Sequence, residues 1–328
     1  MLRINRHGLP CMLVALAVSA FTNPASAQDD YPNKTIRLIV ASAAGGPSDL
    51  PARLASQILT AKFDQPVVVE NRPGAGGAIG ARSVATSPAD GYTLLVGNTS
   101  TLAVIPAVST SAGYDPVKDF VPIARITEGF QILVVHPSSP WKSVKDFVTE
   151  AKANPGKINY AHTGAGGLPN LAGELFMLRG GAKLTGVSYR SGGEANTAVL
   201  SQNVQATFEN IAILRTLIGE GKLRGLAAQN KTRTQLLPDL PTMAEAGVAD
   251  CEANTFFGIV APAGTPPAVV SKLNAALNEG LASAEMQKTI AALGSEARPN
   301  SSAEFAAYIA AQNRKWIDVG KAAGVQIN

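Results

Sequence analysis

Three observations predict an α/β fold with mostly parallel sheets. Short apolar runs alternate with helix-length segments through most of the chain, the rhythm of strand–helix–strand units. After Gly264 this rhythm gives way to consecutive Ala-rich helical segments that start at Pro or at Ser/Asn caps. The composition supplies a core, since 46% of the 328 residues are hydrophobic and 16% charged. At roughly 150 residues per domain, that length suits two domains. The same figures exclude a disordered chain, and 31 Gly and 21 Pro scattered without period exclude a collagen-like one. With 5% aromatics and a formal charge of +4, there is neither a stacking platform nor a basic stripe, so no nucleic-acid partner is expected.

The opening of the chain reads as an export signal. Arg3, Arg6 and His7 give a positive start, and residues 11–21 (CMLVALAVSAF) form an apolar run too short to span a bilayer. Ala25-Ser26-Ala27 is the small-x-small pattern after which a signal peptidase cuts. Residues 1–27 are therefore expected to leave. The mature chain then starts at Gln28, is nearly neutral, and is periplasmic in a bacterium. Cys11 departs with the signal and Cys251 stands alone, so neither a disulfide nor a thiolate metal site is expected. No later run reaches the apolar length of a membrane span.

In order, strands are expected at 36–41, 67–70, 92–97, 132–136, 157–162, 184–188, 204–208 and 223–228. Helices are expected at 50–62, 78–86, 144–153, 171–178 and 195–201, and then at 267–283, 284–293 and 302–323. One internal similarity links the two halves. Ala44-Gly45-Gly46 and Ala165-Gly166-Gly167, at an offset of 121 residues, each follow an expected strand and open an expected helix. The first N–H groups of a helix lack intrahelical partners, and the dipole adds partial positive charge there. Glycines let a ligand approach such a turn closely, which makes an anion site without Lys or Arg. Two such turns facing each other would grip a small anion. An ordinary tight strand–helix connection has the same sequence, and both readings stand at this point.

Other chemistry is sparse. The mature chain keeps only His136 and His162, and His-Glu-x-x-His, Cys-x-x-Cys, Gly-x-Ser-x-Gly and the phosphate-loop pattern do not occur. The Gly74–Gly80 run approximates a dinucleotide fingerprint, but Ile79 occupies its third glycine position, so it reads as a structural loop. No metal and no cofactor are expected. An exported serine hydrolase would need His136 or His162 as its base. His136, before Pro137, is expected to pack. His162 ends the strand that feeds the second glycine turn and is better placed to face a ligand.

Nine further segments carry a family resemblance: 31–40 (YPNKTIRLIV), 44–49 (AGGPSD), 65–77 (QPVVVENRPGAGG), 90–94 (DGYTL), 114–120 (YDPVKDF), 153–157 (ANPGK), 171–176 (LAGELF), 237–242 (LPDLPT) and 261–266 (APAGTP). In order and spacing they resemble the substrate-binding proteins of tripartite tricarboxylate transporters, the Bug receptors, over nearly the whole mature chain. The resemblance implies a two-lobed, type II-like periplasmic-binding-protein fold (a Venus flytrap), each lobe a mixed, mostly parallel sheet flanked by helices. Lobe 1 would comprise 28–127 plus 253–328, lobe 2 would comprise 128–252, and the ligand cleft would lie between them. It implies a monomeric binding protein rather than an enzyme. Its ligand would be a small carboxylate (a di- or tricarboxylate, an acidic amino acid or an aromatic acid), and its partners two membrane subunits of a secondary transporter.

Carried onto matching positions, the ligand loops are Ser42 to Asp49 and His162 to Asn170. Thr163, Gly164, Ala165, Gly166 and Gly167 are expected to clamp a carboxylate through N–H groups and one hydroxyl, with charge-assisted bonds of roughly 1.5–3 kcal/mol each. Ser42, Ala43, Gly45 and Gly46 should meet the other end of the ligand, and Asn98 and Thr99 should line the cleft. Asn170 either caps its helix or touches ligand. Asp49 is expected to stabilise its own loop, because an unpaired carboxylate repels an anion. Arg190, the one cation in an expected ligand-facing loop, pairs either with a second ligand carboxylate or with Glu194 or Glu209. Glu209 stands where Asp is usual and completes the candidate set. The sequence departs from the family pattern at Ser42 (usually aromatic), Ala44 (usually Pro), Gly167 (usually Ser or Thr) and Asn170 (usually His). Small residues at 42 and 167 suggest a pocket for a bulkier acid. A periplasmic sensor that presents its ligand to a signalling protein, or an exported α/β hydrolase, are the alternative functions.

Overall fold

The computed structural model describes residues 30–324 except Gly46, Thr110 and Ala165. The expected signal at 1–27 lies outside the described residues.

β1 (Ile36–Val40) lies between β2 (Val67–Asn71) and β3 (Thr93–Asn98), parallel to both. α1 (Asp49–Phe63) and α2 (Ala78–Ala85) make the crossovers. The buried positions of α1 recur at helical spacing, through Ala52, Ala55 and Leu59, and Leu54 and Ile58. The helix stops where Asp64 turns left-handed at φ 51°. A π-helical turn (Ser100–Val104) and α3 (Ile105–Val108) follow β3. β4 (Phe120–Val135) then runs for 16 residues, nearly all buried.

The second group of elements comprises α4 (Val144–Ala153), β5 (Asn159–His162), α5 (Leu168–Gly180), β6 (Thr185–Ser188), α6 (Gly192–Leu200), β7 (Ala206–Asn210), α7 (Ile211–Gly219) and β8 (Arg224–Ala228). β5 pairs parallel with β6 and β7. The chain then returns along β9 (Asn254–Pro262) to α8 (Pro267–Ala282), α9 (Ala284–Ala292), the short β10 (Glu296–Ala297) and α10 (Ser302–Ala323). A capping box between Ser301 and Glu304 starts α10.

β4 joins the two halves of the sheet. From Phe120 to Phe130 it pairs antiparallel with β9, and from Gln131 onward with β7 and β8. The Gln131 N–H donates to the Ala253 carbonyl at 3.0 Å, so both crossing segments meet at one place. Parallel pairing therefore holds for the outer strands on each side, while the central strands β4 and β9 are antiparallel to their neighbours, β3 included. The sequence reading anticipated only the second part of β4, and neither β9 nor β10. β9 is a run of buried residues without alternation, a pattern that periodicity alone does not assign to a strand.

Edge-to-face and tilted aromatic contacts link Phe147 to Phe176 (5.8 Å between centroids), Phe176 to Phe208 (5.2 Å) and Phe208 to Tyr160 (5.7 Å). This chain fixes α5 on β5 and β7, and so positions the loop that precedes α5.

Candidate functional site

A hollow of about 530 Å³ lies where β4 and β9 cross between the two halves of the sheet. Its floor is the crossing itself: Thr127, Gly129 and Gln131 from β4, and Thr255 and Phe257 from β9. Asn98 and Thr99 at the end of β3, and Glu209 and Asn210 at the end of β7, close one side. The walls are the first turns of four helices: Pro47, Leu50 and Pro51 at α1, Leu168 and Pro169 at α5, Gly192 at α6, and Ala212 and Ile213 at α7. Ile290, Leu293 and Ser295, at and just beyond the end of α9, complete the rim.

Helix starts carry partial positive charge and under-bonded N–H groups, so their convergence favours an anion. Ser191 caps α6 by accepting the Glu194 N–H, and Asn210 caps α7 by accepting the Ala212 N–H. α1 and α5 have no side-chain cap. Among the described residues no Lys, Arg or His lines the hollow. Thr127 Oγ1 and Gln131 Oε1 are buried without a hydrogen-bond partner, although each residue faces the hollow. Asn210 Nδ2 and Gln131 Nε2 both donate to Thr255 Oγ1, at 3.1 and 3.3 Å. Gly129 leaves room for this arrangement, because a Cβ there would sit 3.2 Å from Asn210 Nδ2.

Of the residues singled out from the sequence, Asn98, Thr99, Thr163 and Glu209 line the hollow. Gly46 and Ala165 lie outside the described residues. Ser42, Ala43, Gly45, His162, Gly164, Gly166, Gly167, Asn170 and Arg190 are not among its lining residues. The expected N–H clamp is corrected in its detail, because three of its N–H groups already have acceptors. Gly164 donates to His162 Nδ1 at 3.1 Å, Gly166 to Asn170 Oδ1 at 3.0 Å and Gly167 to the Gly164 carbonyl at 3.2 Å. Asn170 is thereby a buried loop fastener, its Nδ2 also donating to the Tyr160 hydroxyl at 3.0 Å. The Ser42 carbonyl accepts from Asn71 Nδ2 at 3.0 Å, while its hydroxyl is buried and unpartnered. Asp49 stabilises its own loop, with Arg53, Asn71 and the Gly45 N–H bonded to its carboxylate and Arg53 foremost in holding its pKa below the ordinary range. Arg190 takes the structural alternative, bonded to Glu194 at 2.7 Å with its side chain 90% exposed.

A sequence model described as the tripartite tricarboxylate transporter family receptor matches residues 52–325. The chain belongs to this receptor family. BugT of Bordetella pertussis is 34% identical over 315 residues, which cover 96% of both chains. An adipate-bound protein from R. palustris is 32% identical and similar in structure at TM-score 0.75, over 90% of this chain and 99% of that one. A TctC solute binding protein from Polaromonas, solved without ligand, reaches TM-score 0.81 at 25% identity, over 88% of this chain and 98% of its own. The α/β architecture is thus that of periplasmic binding proteins, and the family is one of solute-binding transport receptors rather than enzymes.

Within this receptor, Glu209 is the one titratable side chain among the described residues that line the hollow. Burial raises its pKa, and the Asn210 N–H, 2.7 Å from Oε1, offsets part of that. His162 is also buried, which lowers its pKa, and its ring packs against Tyr160 and Gly186. That leaves a hydrolase mechanism without its expected base at the hollow. His136 forms a local turn with Ser138. The described residues contain no group of three His, Cys, Asp or Glu able to hold a metal, and Cys251 is buried with its thiol pushed up to about 12. No helix among them is long and apolar enough to cross a membrane.

The residues that sequence reasoning missed are the floor (Thr127, Gly129, Gln131, Thr255) and the far wall (Ile213, Ile290, Leu293). The one signal available for the floor was the family's chain crossing, expected near Thr127 and Ala253. The far wall left no motif.

Proposed function

We propose that this receptor captures a small organic carboxylate in the hollow between the half-sheets and delivers it to two membrane subunits of a secondary transporter. The observation that carries this reading is the convergence of the first turns of α1, α5, α6 and α7 on a hollow lined by no basic side chain among the described residues. Such a site attracts an organic anion by dipoles and unfilled N–H groups. The uncapped starts of α1 and α5, together with the Thr163 and Thr127 hydroxyls, are the donors we assign to the carboxylate. Adipate in the R. palustris relative supports a carboxylate ligand.

In this reading, 28–127 plus 253–328 and 128–252 are lobes that close about the β4–β9 crossing. The ligand stabilises the closed form by its differential affinity for it. Residues 1–27 export the chain to the periplasm, and it works there as a monomer without cofactor. Leu50, Leu54, Leu168, Ile213, Ile290 and Leu293 give the hollow an apolar lining, which favours an acid with an aliphatic or aromatic body over a compact hydroxy acid.

Calorimetric titration with a panel of aliphatic, aromatic and hydroxy carboxylic acids tests this. Micromolar affinity, about −8 kcal/mol, is expected for an acid with an apolar body. A receptor that binds only neutral or cationic solutes and no acid overturns it.

A further inference from the structure

Glu209 poses a problem that a plain dicarboxylate does not solve. It ends β7 with only 5% of its surface exposed, and it faces the hollow. Its Oε1 accepts the Asn210 N–H at 2.7 Å, while Oε2 takes no hydrogen bond from any described residue. Arg190, the one cation in an expected ligand-facing loop, is bonded to Glu194 and exposed. Gln131 Oε1, on the same hollow, is an acceptor that is buried and unpartnered. A buried acceptor without a donor, as at Gln131, is costly, and a second carboxylate brought against Glu209 adds charge repulsion. A ligand that brings its own N–H removes both penalties.

We infer that the ligand presents an N–H donor, an amine or a carboxamide, to Glu209, and that Glu209 is a specificity-determining residue of this receptor. The inference rests on the carboxylate reading above and refines it. The acid end of the ligand meets the helix starts, the apolar body lies along the leucine and isoleucine walls, and the other end is nitrogenous rather than a second carboxylate. Gly192 belongs to the same device, because a Cβ there would lie 2.7 Å from Glu209 Oε2. The bare helix start is what leaves that oxygen room to face the ligand.

The test uses four acids of matched chain length: caproate, ε-aminocaproate, adipamate (the monoamide of adipate) and adipate. In calorimetric titrations of the wild-type receptor near neutral pH, at least one of the two N–H-ended acids is expected to bind about tenfold or more tighter than adipate. An advantage for the amine over the amide marks Glu209 as an ionic partner, and equal affinities mark it as a neutral acceptor. Both support the inference. E209Q is expected to shrink the preference to about threefold or less. G192A, which lays a methyl against Oε2, provides a second variant with the same expected pattern. The wild-type ranking decides alone if neither variant folds. Adipate binding as tightly as both N–H-ended acids overturns this inference and leaves the carboxylate reading intact. Binding by none of the four overturns both.

Discussion

Replacing Thr99 by Val separates fastening from ligand contact at the edge of the hollow. Thr99 is 3% exposed, and its hydroxyl is fully engaged inside the protein. Oγ1 donates to the Asn254 carbonyl at 3.1 Å and accepts the Phe256 N–H at 2.8 Å, tying the end of β3 to β9 beside the crossing. Val keeps the shape but leaves one buried carbonyl and one buried N–H without this partner. At about 1–3 kcal/mol for each such group, the loss is about 2–6 kcal/mol, a large share of the stability of an ordinary domain. In guanidinium unfolding followed by circular dichroism, T99V should show a lower midpoint with an unchanged slope, and T99S should recover most of the loss. Affinity for the acid ligand should stay within about threefold, because the hydroxyl has no proton left to donate. An unchanged midpoint together with a tenfold loss of affinity would refute this reasoning and make Thr99 a ligand contact.

Three further outcomes are expected. His162 has a folded-state pKa below its ordinary 6.5 because of burial, so the unfolded chain takes up the proton first as pH falls. Its contribution is complete above the ordinary value and is lost between there and the lower folded value. H162N, whose amide oxygen can still accept the Gly164 N–H, should flatten that acid-side decline, and an equal decline in both proteins by chemical denaturation would count against it. R190A breaks an exposed ion pair, so stability should change by less than about 0.5 kcal/mol and ligand affinity by less than about twofold, as read by calorimetry. I213S acts at a rim position 47% exposed in this structure, so folding stability should barely move. Affinity for an acid with an apolar body should fall by roughly 1 kcal/mol, about fivefold, while a compact hydroxy acid is unaffected.

The outer layers were legible because their physics is local. The runs at 36–41 and 67–70 are bounded by turn residues and separated by an amphipathic segment, and they fold as β1 and β2 with α1 between them. β4 and β9 were not, because a 16-residue buried strand and an unbroken apolar run carry no period that separates strand from helix. The same distinction runs through the site. Asn98, Thr99, Thr163 and Glu209 were readable because each sits where an expected strand ends and a loop begins. Thr127, Gln131 and Thr255 are polar residues inside apolar strands, and only the tertiary crossing turns them toward one hollow. The glycines of the second loop could be read as donors, but not for whom. A backbone N–H that faces ligand and one that faces Asn170 come from the same residues, and the choice depends on loop coordinates that no spacing encodes.

If the two groups of elements close on a ligand as proposed, the crossing of β4 and β9 is the axle as well as the floor. Atoms on an axle hardly travel when the parts it carries rotate. A ligand group resting on Thr127 or Thr255 is therefore held almost equally in any posture of the molecule, and it contributes grip without dictating posture. The closed posture would then be favoured at the circumference, where Leu50 of α1, Ile213 of α7 and Leu293 just beyond α9 are still exposed. On the proposed function, tightness of capture and the choice of closed form thus fall to different residues.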